Sequence, residues 1–253
     1  MKPIRRAPFA LAAAGLLLAG CSSTVEGTAS PSPTGEGGSS SSSSSSSAPS
    51  SSGGSSGSGD LSAGLLPEDA FGAGATVAPV TEADVAAGSA AGSLDGATVT
   101  PEACAAAVQK SQPSVEDLDG FAAQAATTGT TGTTITVQVI TEGAPGDPAA
   151  DLASAVQSCP QATVTSPEIG TATITFAVLD VPDIGDGSAA LSYTTTVTGP
   201  DGTQLAIPAQ VGVVRDGDRA VTLLSTTVGG TLDPASFAAL LQQAYDYQAE
   251  QLD

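Results

Sequence analysis

The stretch from residue 171 to residue 228 constrains this chain more than any other. It holds four runs in which apolar and polar residues alternate: TATITFAVLDV (171–181), AALSYTTTVTG (189–199), TQLAIPAQVGVV (203–214) and RAVTLLSTTV (219–228). Alternation at a period of two sends successive side chains to opposite faces of a strand. Short polar turns separate the runs, with Pro200-Asp201-Gly202 and Asp216-Gly217 as hairpin connectors. Connections this short leave no room for a crossover, so the four strands are expected to form an antiparallel meander. Pro208 lies inside the third run. Its missing N–H calls for an edge position or a bulge there. Upstream, TTITVQVITE (133–142) sets Ile135, Val137 and Val139 against Thr134, Thr136 and Gln138, the pattern of a further half-buried strand.

Three helix starts share one arrangement: Thr100-Pro101, Asp147-Pro148 and Asp233-Pro234. Each places an N-cap oxygen before a proline at the first helical position, where a missing N–H costs nothing. The first helix is expected to run through Gln109. The second carries Leu152, Val156 and Cys159 on one face and stops at Pro160, and the third presents Phe237, Leu240, Leu241, Ala244 and Tyr245. A fourth, weaker helix is read over 114–126. The predicted class is α+β: a twisted antiparallel β-sheet with helices packed on one face. No internal repeat is visible.

The first quarter of the chain reads differently. Lys2, Arg5 and Arg6 precede the apolar run FALAAAGLLLAG, which ends at Cys21. That is the layout of a secretory signal, and the run is too short to span a bilayer, which takes about 20 apolar residues. Leu18-Ala19-Gly20-Cys21 is a bacterial lipobox pattern, which predicts cleavage before Cys21 and acylation of it. Two or more acyl chains give stable attachment, so Cys21 is expected to hold the protein on the outer leaflet of the cytoplasmic membrane. The alternative is ordinary secretion with a free Cys21. Residues 22–59 are mostly Ser, Gly, Pro and Thr, with nine serines in a row at 39–47. Such a composition buries too little apolar surface to offset chain entropy and reads as a disordered tether. The expected organisation is a signal peptide (1–20), lipidated cysteine and tether (21–60), and one folded domain (61–253).

Removing the signal leaves Lys110, Arg215 and Arg219 against all 26 carboxylates, a net charge of about −23. A surface of that sign repels nucleic acid, which excludes DNA and RNA as partners. The chain has no histidine, so neither a Ser-His-Asp nor a Cys-His catalytic arrangement is possible. Lys110 beside Ser111 is the remaining Ser–Lys pair, in no nucleophile motif. DVPDIGDG brings Asp180, Asp183 and Asp186 close in sequence. Calcium loops space their oxygen ligands by two and add a bidentate glutamate, which this stretch lacks, so a polar turn is the better reading. Paired carboxylates could serve glycoside hydrolysis. The chain has no tryptophan to stack a sugar; Tyr193 sits in an alternating strand, and Tyr245 and Tyr247 on the last helix, where packing accounts for Tyr245. No catalytic residue, metal site or cofactor is assigned.

Past Cys21 two cysteines remain, Cys104 and Cys159. In an exported domain whose apolar residues are mostly Ala, Val, Leu and Ile, an even pair reads as a stapling disulfide, with two buried free thiols as the alternative.

The motifs then follow a recognisable order. After lipobox and tether come LLPEDAFGAGATV (65–77), PEACAAAV (101–108), a strand, a helix ending in SCP (158–160), a meander containing GVVRDGDRAVTL (212–223), and DPASFAALLQQAYDYQ (233–248). This order resembles actinobacterial lipoproteins of the PknH-like extracellular sensor-domain family, over most of residues 61–253. The kinase sensor has two disulfides, whereas this chain can form one internal bridge, and it carries no kinase domain. The resemblance implies a non-enzymatic extracytoplasmic domain that binds an envelope ligand or partner through a groove. Two other classes share the features: a lipid-carrying lipoprotein with an apolar cavity, and a structural factor of the cell envelope.

Overall fold

The computed structural model describes residues 60–91, 96–105, 118–129, 132–143, 146–166, 170–199 and 201–252. The signal segment, Cys21, nearly all of the tether, Lys110, Ser111, Pro200 and the end of the Cys104 helix lie outside these residues.

Among the described residues nine strands form one sheet, antiparallel throughout. They are β1 (Thr76–Val80), β2 (Thr98–Thr100), β3 (Gly120–Thr128), β4 (Thr133–Glu142), β5 (Gln161–Ser166), β6 (Gly170–Leu179), β7 (Gly187–Thr198), β8 (Gln204–Asp216) and β9 (Arg219–Val228). Their order across the sheet is β1-β3-β4-β9-β8-β7-β6-β5-β2. The run β6-β7-β8-β9 is the meander that the alternation dictates. The helices are α1 (Glu82–Ala91), α2 (Pro148–Ser158) and α3 (Pro234–Leu252), and two 3-10 turns, Leu61–Gly64 and Glu68–Phe71, precede β1. Residues 102–105 are helical as well.

Pro208 belongs to an interior strand, but the pairing of β8 with β9 begins at Ala209 opposite Thr226. On that side Pro208 therefore lies past the end of the ladder, where no donor is needed. Its carbonyl accepts a hydrogen bond from the Thr226 hydroxyl at 3.2 Å.

Residues 120–126 are strand, not the helix read over 114–126, and 118–119 are not helical; residues 114–117 lie outside the described residues. FAAQAATT is alanine-rich and favours helix locally. Here it is flanked by β1 on one side and β4 on the other. Its small side chains let both faces be covered: Ala122, Ala123, Gln124 and Ala126 are all buried. Gln138, on the polar side of β4 in the alternation, is also fully buried. Its amide oxygen accepts from the Leu66 N–H at 2.9 Å and from Gln124 Nε2 at 3.0 Å, while Gln124 Nε2 also donates to the Leu66 carbonyl at 2.8 Å. Two strand amides thus pin the segment between the 3-10 turns onto the sheet and satisfy its backbone.

The main core lies under α3. Ile140, Val214, Val221 and Leu223 point from β4, β8 and β9 toward Phe237, Leu241 and Ala244, and Leu61 and Leu66 close the edge. Helix α2 lies against the opposite face. Its cap Asp147 meets Arg215, the neighbour of core-facing Val214, and Cys159 at its end packs with Ala162 and Phe176. Phe176 pairs across strands with Tyr193, ring centroids 5.9 Å apart. The helices are thus divided between the two faces, which is why the central strands are buried on both.

Asp60, Asp84, Asp147, Asp201 and Asp233 hold turns and helix starts. Asp147 caps α2 by accepting from Ala149 and Ala150 N–H groups. Thr81 and Asp84 exchange hydrogen bonds at the start of α1, and Asp233 accepts from Ser236 at the start of α3. Hydroxyl donors, with the backbone N–H groups beside them, hold Asp60, Asp84, Asp201 and Asp233 below the ordinary 3.8. A carboxylate whose folded pKa is depressed stabilises above its unfolded value, and that contribution is lost as pH falls through the folded value. The melting temperature is expected to be flat near neutrality and to fall below about pH 4. In a pH series followed by circular dichroism, Asp233→Asn should reduce that acid dependence. An unchanged slope would contradict the assignment.

Candidate functional site

The described residues gather their charged chemistry at one end of the sheet, around the β8–β9 turn. Gly217-Asp218 makes that turn, between paired Asp216 and Arg219, and Gly217, with φ +63, supplies the backbone conformation it requires. Arg215 and Arg219, at the end of β8 and the start of β9, are brought together by the turn. The N-terminus of α2 arrives from one face and Gln248 of α3 from the other.

Hydrogen bonds tie these pieces into one corner. Arg215 lies 3.6 Å from Asp147, and its Nε donates to the Gly217 carbonyl at 3.2 Å. One Asp216 carboxylate oxygen accepts from Arg219 at 3.3 Å and from Gln248 Nε2 at 2.6 Å. Gln248 is fully buried, and its amide oxygen has no partner among the described residues. Asp186 accepts from the Gly217 N–H at 2.9 Å, and its own N–H donates to the Arg215 carbonyl at 2.8 Å. A cleft of about 180 Å³ opens here between Pro148, Gly146 and the two arginines. A larger groove of about 410 Å³ lies over the 68–75 loop, walled by glycine, alanine, Glu68 and Asp69.

The corner binds charge to charge, with each arginine already beside a carboxylate. No nucleophile with an adjacent base occurs in it. Of the DVPDIGDG carboxylates, Asp186 serves the turn as described. The loop itself is held by Ser188, whose hydroxyl donates to the Pro182 carbonyl at 2.7 Å, and by Val181 and Ile184, which pack on the main core. Among the described residues no three carboxylate, cysteine or histidine side chains come together as a metal would require. Tyr193 is half-buried in its cross-strand pair, and desolvation of its hydroxyl pushes the pKa up. Tyr245 and Tyr247 pack against the core on α3.

Cys104 and Cys159 form a disulfide, with Cα atoms 5.3 Å apart and 55 positions between them in sequence. Both are buried against Ala162, Val99 and Phe176. The cystine joins the helical turn at 102–105 to the end of α2. Cys21 lies outside the described residues. Reading the sequence did not single out Asp147, Asp216 or Gln248 as a group. The local signals were the Asp-Pro cap and the Asp-Gly turn, but no sequence spacing relates either to Gln248.

No family model matches this chain, and no curated protein matches it. Solved structures do. An uncharacterised protein of Mycobacterium smegmatis, the Rv0999 ortholog, is similar at 17% identity with a TM-score of 0.45, covering 74% of this chain and 96% of its own. The extracellular domain of PknH from Mycobacterium tuberculosis is similar at 15% identity with a TM-score of 0.42, covering 74% and 95%.

Proposed function

We propose that this chain is a lipid-anchored extracytoplasmic protein whose folded domain binds an envelope ligand or partner without catalysing a reaction. The observation that carries the reading is the buried Cys104–Cys159 disulfide. Structural disulfides persist in oxidising compartments and are rare in the cytosol of mesophiles. The lipobox at Leu18-Ala19-Gly20-Cys21 supports an anchor, acyl chains on Cys21 being the chemistry that such a motif directs. The 38 residues between Cys21 and Asp60, as a Ser/Gly coil, give the domain a reach of roughly 35 Å from the membrane. The arginine corner supports a binding rather than a reacting surface, since its groups already pair with one another.

The carrier reading has less support: the cleft at the β8–β9 turn and the groove over the 68–75 loop open to solvent and have charged groups on their walls. Anchoring is tested by fractionation. Wild-type protein should be found with membranes and take up labelled palmitate, while Cys21→Ser should be soluble and unlabelled. Continued membrane partitioning of the variant would count against the anchor.

A further inference from the structure

The half of the sheet beyond α3 carries an array with no role in the corner or the cystine. On β2, β5, β6 and β7 one set of alternating side chains turns inward: Val99, Ala162, Val164 and Ala172. The other set is nearly all threonine, and the strand registers align it. Thr98, Thr165, Thr171 and Thr198 are successive cross-strand partners in one row. Thr100, Thr163, Thr173 and Thr196 form the next, and Thr175 opposite Thr194 begins a third. None of these ten hydroxyls has a hydrogen-bond partner among the described residues, and those of the outer row and the β2 edge are exposed. Gln161 and Gln204 flank the rows. No charged side chain falls on them, in a chain of net charge −20.

We propose that this threonine face binds a neutral, extended polysaccharide lying across the strands. Neighbouring strands are about 4.8 Å apart, close to the advance of one sugar along an extended chain, so each strand can meet one sugar. Each threonine offers a hydroxyl that both donates and accepts and a methyl group for a sugar's C–H face. Its β-branched side chain is already restricted at χ1, so little rotamer freedom is lost on binding. The absence of charge on the face, within so acidic a chain, favours a neutral polymer and disfavours an anionic one. A protein partner would find no aromatic or large aliphatic anchor in the rows. With no aromatic platform, each sugar contributes weakly and affinity builds with chain length.

The inference takes from the proposed function only the extracytoplasmic placement, and its test does not depend on the anchor. Full-length protein purified in detergent is titrated calorimetrically with neutral linear gluco-, manno- and galacto-oligosaccharides of increasing length, and with a uronic-acid oligosaccharide. At least one neutral series should bind, with affinity rising up to about four sugars and then levelling. Thr163→Val, Thr173→Val and Thr196→Val together should weaken binding at least about tenfold. Serine at the same three positions, which keeps the hydroxyls, should hold it within about threefold. If the valine variant does not fold, Thr171→Asp, at an exposed site, replaces it and should also weaken binding. No binding by any neutral series, equal binding by folded variants, or equal binding of the uronic oligosaccharide would overturn the proposal. A dimer that disappears with the valine substitutions would overturn it too, by assigning the face to a second copy.

Discussion

Replacing Cys104 and Cys159 together by alanine is expected to lower the unfolding free energy by about 4 kcal/mol. The bridge closes a loop of 55 positions, and the entropy removed from the unfolded chain grows with the logarithm of that length. Both sulfurs are buried, so lost packing against Ala162 and Phe176 acts in the same direction. The effect is large relative to a domain whose buried apolar residues are mostly alanine, valine and leucine. Urea unfolding should show a lower midpoint for the double variant, and wild-type protein in reductant should approach it. Equal midpoints with and without reductant would remove the cystine from the account of stability. Alkylation offers an independent check: both thiols should react only after reduction.

The second large effect lies where α3 crosses β8. Gly212 is the point of closest approach: a methyl group there would come within 2.6 Å of Leu241 Cδ2 and 3.1 Å of Phe237 Cε1. Leu241 is fully buried and cannot swing aside into solvent. Gly212→Ala is therefore expected to cost about 1–3 kcal/mol by overpacking. Leu241→Ala should cost about 2–5 kcal/mol through lost burial and the cavity left behind. The two changes are complementary in volume, so the double variant should be destabilised by at least about 1 kcal/mol less than the sum. Additivity within about 0.5 kcal/mol would mean that the helix does not seat on Gly212 as described.

Much of this architecture is written in local patterns. The meander runs are legible because each has one side chain per face and a turn too short for anything but a hairpin. The starts of α2 and α3 are legible because Asp-Pro sets a cap and a first turn without reference to the rest of the fold. FAAQAATT in β3 was not legible: its alanines favour helix, and only pairing on both edges makes it a strand. Gln138 misleads for a related reason, since alternation assigns it to solvent while the segment around Leu66 covers it. Of the candidate residues, Cys104 and Cys159 could be paired by elimination. The Asp216–Gln248 contact could not, because its partners lie 32 positions apart on a turn and a distant helix.

By itself, the sequence determined the antiparallel meander, the starts of α2 and α3, the acidic surface and the absence of histidine chemistry; Thr100, expected to cap a helix at Thr100-Pro101, instead ends strand β2. These depend on residue identity and on periods of two or a few residues. Tertiary structure decided what docks on the meander: β4, β3 and β1 on the β9 side, β5 and β2 beyond β6, with α2 and α3 on opposite faces. It also decided that threonines scattered over a hundred positions become cross-strand neighbours in rows. Strand partners are chosen by which surfaces can be buried together, and that choice is made between segments far apart in the chain.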